Sequence, residues 1–208
     1  MRKVKTIKLY HSDLPDDLEF GDSVAVDTEA MGLAHYRDRL CLVQLTFGDG
    51  VCHLVQIDRN VQEAPRLRAL LSNENIEKIF HFARFDVALL YKSMGILCKP
   101  VYCTRIASVL SRTYTERHSL RELCHELLGV DISKTERSSY WGAKFLTDAQ
   151  KSYAANDVLY LHDLKEKLNE ILKREERYEL FLDVCRCIPV RSQLDAIGFS
   201  EDIFAHHK

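Results

Sequence analysis

The sequence predicts an α/β fold in which a three-strand antiparallel meander leads into a β-α-β unit and then a mostly helical second half. Three observations carry that expectation: strand-like runs joined by short links near the start, a switch to helical spacing after Ala64, and two capping-box patterns further on. The runs are SVAVDTE at 23–29, RLCLVQLTF at 39–47 and VCHLVQI at 51–57, with the turn residues Gly48, Asp49 and Gly50 between the last two. Links this short join antiparallel neighbours. PRLRALLSN then reads as a helix, KIFHF at 78–82 as an apolar strand, and VALLYKSMG at 87–95 as a second helix. A fifth short strand is expected at 101–103. SLRELCHELLG opens with the capping pair Ser119 and Glu122. A second pair, Thr147 and Gln150, opens a helix predicted to run from 148 past Glu176, because Leu161, Leu164, Leu168, Ile171 and Leu172 recur at helical spacing.

A chain of 208 residues that is 46% hydrophobic can bury one core, so a single domain over 1–208 is expected. Residues 185–208 read as a C-terminal extension available for oligomerisation. Its apolar Ile197, Phe199, Ile203 and Phe204 suit an interface, and equally suit packing back onto the domain. With 29 basic against 31 acidic residues there is no global positive field, so a polyanionic substrate must be gripped locally. Seven cysteines, without a C-x-x-C pair, read as the reduced thiols of a cytoplasmic protein and not as a zinc site or disulfide framework. The basic start turns polar and acidic where a signal peptide would need an apolar run, and no stretch reaches transmembrane length.

The chemistry lies in acids at awkward places. In VAVDTEAMGL a strand puts Asp27 and Glu29 on one face and Val24, Val26 and Thr28 on the other. An isolated D-x-E of this kind reads most simply as a solvent-facing stripe. Asp86 falls between a strand and a helical run, which by itself suits an N-cap, yet strand ends are also where α/β folds bring functional groups together. Tyr153 and Asp157, four residues apart, share one helix face, which places Asp157 on the inward side, where a carboxylate needs a basic partner or a cation. Four converging acids repel one another unless divalent cations neutralise them, and hard oxygen ligands favour Mg²⁺ or Mn²⁺ over zinc. Two such ions could activate a water and stabilise a leaving 3′ oxygen during in-line attack on phosphorus.

V-D-T-E at 26–29, H-F-A-R-F-D at 81–86 and Y-A-A-N-D at 153–157, taken in order, resemble the three motifs of ribonuclease D type 3′-5′ exonucleases, the DEDDy group. The resemblance implies a ribonuclease-H-like fold with a mixed five-stranded sheet flanked by helices. It implies that Asp27, Glu29, Asp86 and Asp157 hold two divalent metal ions, Mg²⁺ or Mn²⁺, and that Tyr153 positions the attacking water. Ribonuclease D proper carries further helical domains that a chain of this length has no room for. DRLCLVQL, KIFHFARFD, RTYTERH, ANDVLYLH, LKREER and DIFAH are more similar to the short bacterial nano-RNase C enzymes. That likeness implies hydrolysis of short single-stranded RNA, especially dinucleotides, to mononucleotides, and assembly as a ring-shaped homo-octamer. It also implies that Leu33 wedges between the substrate's bases and that His81 approaches the nucleotide; by themselves, Leu33 is an ordinary turn residue and His81 a structural histidine. Two alternatives stay open: 3′ trimming of longer RNA or DNA, and a non-catalytic nucleic-acid-binding module. The presence of all four acids and the tyrosine weighs against the second.

Overall fold

The computed structural model describes residues 6–32, 34, 37–59, 63–132, 139–199 and 201–206. Among them six strands form one mixed sheet: β1 (Thr6–His11), β2 (Ser23–Ala30), β3 (Leu40–Thr46), β4 (Val51–Gln56), β5 (Glu77–Phe80) and β6 (Val101–Cys103). Their order across the sheet is β1-β4-β3-β2-β5-β6. The meander is present, because β3 runs antiparallel to both β2 and β4, while β5 and β6 run parallel on the far side of β2. Every residue of β3 is buried, which is why LCLVQLT is nearly continuously apolar instead of alternating. The sheet has one strand more than the five expected. The addition is β1, which lies parallel along β4 at the sheet edge. Its residues are exposed or half-buried, with Ile7 and Leu9 packed against the core.

Helices α1 (Pro65–Ser72), α2 (Ala83–Met94), α3 (Thr104–Ser111), α4 (Leu120–Leu128), α5 (Asp148–Leu159), α6 (Leu161–Arg174) and α7 (Tyr178–Ala196) complete the described fold. Both capping boxes form as expected, Ser119 with Glu122 before α4 and Thr147 with Gln150 before α5. The helix predicted from 148 past Glu176 is instead two helices that break at Tyr160, whose φ of −101° and ψ of −1° interrupt the ladder. The reason lies in packing: α5 lies on β2, β3 and β4, whereas α6 packs against α3, α4 and β5. One straight rod cannot face both surfaces, although its apolar spacing continues unbroken through the bend. The C-terminal helix α7 packs chiefly on α2 and also against β6, burying Phe181, Cys185 and Ile188. All seven cysteines are free thiols, and no helix among the described residues is long and apolar enough to cross a membrane.

Two irregularities in β2 prepare the site. Its register with β3 shifts between Glu29 and Ala30, a local bend of the kind that re-aims side chains. Its pairing with β5 covers only Ser23–Ala25, so the rest of β2 overhangs the shorter neighbour.

Candidate active site

The overhanging half of β2 carries Asp27, Thr28 and Glu29. Alternation along the strand turns Asp27 and Glu29 to the side covered by α5, where Ala154, Ala155 and Val158 form the buried stripe of that helix. Asp157 follows on the same helix. One carboxylate oxygen each from Asp27, Glu29 and Asp157 lies within 4.8 Å of the others, and all three residues are half-buried. Asp27 Oδ2 accepts a hydrogen bond from Gln44 Nε2 at 3.1 Å, across the β2–β3 pair.

Asp86 reaches the same strand at the edge that β5 leaves unpaired, where its carboxyl accepts from the Thr28 backbone N–H and lies close enough to Asp27 to feel its charge. The N-cap role open to it in the sequence is not the one it has. Helix α2 begins earlier, at Ala83, and its N-cap is Phe82, held in the left-handed region at φ 68° with no side-chain cap. That conformation turns the chain sharply out of β5, so the first turn of α2 folds over the overhang and the Asp86 carboxyl meets strand β2 while also accepting from its own backbone N–H. Thr28 Oγ1 donates to Asp86 Oδ1 at 2.6 Å, and both residues are buried.

The electrostatics follow from burying like charges together. Burial pushes the Asp27 carboxyl up to about 7, against the lowering effect of the Thr28 backbone N–H. Burial, and then the nearby Asp27 charge, hold Asp86 well above the ordinary carboxylate range. The Tyr153 hydroxyl is also pushed up, by burial first and then by the charges of Asp157, Glu29 and Asp27, and it shares a side-chain hydrogen bond with Asp157. It therefore stays protonated at physiological pH, with its ring 6.1 Å from that of the buried Trp141. These carboxylates suit a divalent cation on their own chemistry: hard oxygen donors converge, and part of their charge is suppressed for want of a counter-charge.

His81 lies beside the site at the end of β5. Thr104 Oγ1 lies 2.9 Å from His81 Nδ1 and 3.2 Å from the Phe80 carbonyl, so the threonine hydroxyl fixes the orientation of the ring. Burial, aided by Arg105, depresses His81 to about 3, which keeps the ring neutral. Leu33 lies outside the described residues. Sequence reasoning missed Gln44, Thr28 and Trp141. A glutamine inside the otherwise apolar β3, opposite Asp27, was the available signal for the first.

A family model described as 3′-5′ exonuclease matches residues 5–173, and the chain belongs to this family of exonucleases. Brucella melitensis NrnC bound to pGG is similar at a TM-score of 0.94 and 49% identity, over 97% of this chain and 99% of that one. NrnC with bound Mg²⁺ is similar at 0.93 and 48%, over 97% and 100%. Escherichia coli RNase D is similar at 0.72 and 29%, over 83% of this chain and 45% of that one. Among curated relatives, Ribonuclease D of Gluconacetobacter diazotrophicus is 33% identical over 156 residues, 75% of this chain and 39% of the relative. DNA polymerase I of Aquifex aeolicus is 37% identical over 155 residues, 74% of this chain. The chain thus spans 25% to 39% of the length of these two relatives.

Proposed function

We propose that this protein hydrolyses short single-stranded RNA from the 3′ end, dinucleotides above all, releasing nucleoside 5′-monophosphates. The observation that carries the reading is the meeting of Asp27, Glu29 and Asp157 within 4.8 Å, with Tyr153 on the same helix face and Asp86 on the neighbouring turn. Asp27, Glu29, Asp86 and Asp157 would hold two Mg²⁺ or Mn²⁺ ions. Once bound, the ions supply Lewis acidity for the attacking water and the leaving 3′ oxygen. Tyr153, protonated, keeps a donor available to orient the water at phosphorus. His81, held neutral, is the proposed contact to the nucleotide, while Leu33 is the proposed wedge between the two bases.

The preference for dinucleotides draws on two further observations. Charge is nearly balanced, with a net value of −2, so counterion release along a long strand cannot supply the affinity, and stacking and shape must do so. In addition, a similar protein of nearly equal length, Brucella melitensis NrnC, has been solved with pGG. A homo-octameric ring in the cytoplasm belongs to the same proposal; the exposed Ile197, Phe199, Ile203 and Phe204 supply apolar surface for it.

A 5′-labelled RNA ladder of two to about twenty nucleotides, incubated with Mn²⁺, with Mg²⁺ and with chelator, tests the reading. Metal-dependent initial rates greatest on the dinucleotide are expected, with weak salt dependence. Rates that rise with length would indicate 3′ trimming of longer RNA. The absence of metal-dependent cleavage at every length would leave only a binding module.

A further inference from the structure

The matched exonuclease segment ends at residue 173, yet helix α7 beyond it grips the turn that carries Asp86. Asp195 on α7 is 2% exposed and receives both arms of the Arg84 guanidinium, Nε to Oδ2 at 2.6 Å and Nη2 to Oδ1 at 2.8 Å. Ser192 Oγ donates to the Arg84 carbonyl at 3.2 Å, a second hold on the same residue. Arg191 Nη2 donates to Asp195 Oδ1 at 2.6 Å, and Arg191 also donates to the carbonyls of Phe199 and Glu201. Burial alone would raise the Asp195 carboxyl, but the hydrogen bonds and charges of Arg84 and Arg191 hold it below its ordinary range, hence ionised.

Arg84 is the second residue of α2 and Asp86 the fourth. This turn lacks a side-chain cap of its own and is entered through a phenylalanine at positive φ, a conformation that persists only where the surroundings enforce it. A bidentate pair fixes direction as well as distance, and a displacement of Arg84 carries Asp86 with it in one rigid turn. We infer that Asp195 is a positioning residue for the metal site: by clamping Arg84 it sets the first turn of α2, and with it the aim of the Asp86 carboxyl. The C-terminal helix is thereby part of the active-site frame. This inference rests on the nuclease reading proposed above.

The test uses the whole chain, with Mn²⁺ binding followed by calorimetry and the Mn²⁺ dependence of dinucleotide hydrolysis followed by rate. Asp195→Asn should raise the Mn²⁺ dissociation constant about ten-fold, as loss of an outer-shell partner does, while KM for the dinucleotide at saturating Mn²⁺ stays unchanged. Cys185→Ala loosens the same helix without touching the bridge and should leave Mn²⁺ affinity at the wild-type value. Unchanged affinity in Asp195→Asn, or equal weakening in Cys185→Ala, would overturn the assignment. If Asp195→Asn does not fold, Arg84→Lys keeps the charge and loses the fork; weakened Mn²⁺ binding there supports the inference and wild-type binding overturns it. A wild-type chain that binds no Mn²⁺ would sink this inference together with the nuclease reading, whereas a wild-type chain that binds and cleaves normally beside an unaffected Asp195→Asn sinks the inference alone.

Discussion

Replacing Asp27 by Asn removes one charge from the acid cluster and keeps its shape. In the metal-free chain burial pushes the Asp27 carboxyl from 3.8 up to about 7. The folded state therefore keeps a proton that the unfolded chain has already lost, so stability that is full below about pH 4 is lost as pH rises through 7. That rise corresponds to about 4 kcal/mol at pH 8. Solvent screening and sharing of the proton with Asp86 reduce it, and ~2 kcal/mol is the expected part recovered by a neutral side chain. Asn retains an acceptor for the Gln44 amide, which Asp27 receives at 3.1 Å. In chelator at pH 8 the variant should melt about 4–8 °C above wild type, and the gain should shrink at pH 5. Mn²⁺ should reverse the order, since it stabilises only a chain that binds it. Thermal melts at both pH values, with chelator and with Mn²⁺, make the comparison. A difference that ignores pH, or a variant stabilised by Mn²⁺ as much as wild type, would refute the electrostatic account of the site.

Asp157→Ala should abolish dinucleotide hydrolysis with little change in melting temperature; measurable turnover would remove it from the metal set. Asp86→Ala should abolish it too, and at acid pH, where the raised carboxyl carries no charge to relieve, it should lose ~1–3 kcal/mol of stability because the buried Thr28 hydroxyl is left without its acceptor, a cost read from urea unfolding. Tyr153→Phe keeps the ring beside Trp141 and removes the donor, so kcat should fall about 10²-fold with KM held, and a full rate would end its assignment to the water. Lys78, fully buried, donates to the carbonyls of Asn73, Ile76 and Lys99 at 2.7, 2.6 and 2.6 Å. Lys78→Met should cost ~2–4 kcal/mol and leave Mn²⁺ affinity untouched, as urea unfolding and calorimetry would show.

Asp27 and Glu29 were legible as a pair because strand alternation is strict, and the inward placement of Asp157 followed from its spacing to an apolar stripe. The meander was legible from its short links. What escaped had no local signature. Periodicity runs straight through Tyr160, so the bend that lets α5 and α6 face different partners is visible only once those partners exist. Phenylalanine is a poor choice for positive φ, and nothing in HFARFD announces that Phe82 adopts it, starts α2 early and swings Asp86 toward Thr28. Edge strand β1 shows only Ile7 and Leu9 alternating among polar neighbours. The Arg84–Asp195 bridge joins residues 111 positions apart, a distance over which one sequence carries no pairing information.

The uneven pairing of β2 has a meaning for design. Beyond Ala25 the strand has outrun β5, and the helix turn bearing Asp86 occupies the ground that a longer β5 would claim. A sheet zipped fully to its end would hold more ladder hydrogen bonds and seal the notch where Asp86 reaches the open edge of β2. Attempts to stabilise this scaffold by extending β5 would compete directly with the proposed metal site, because the missing backbone bonds and the meeting place of the carboxylates are the same few ångströms of strand.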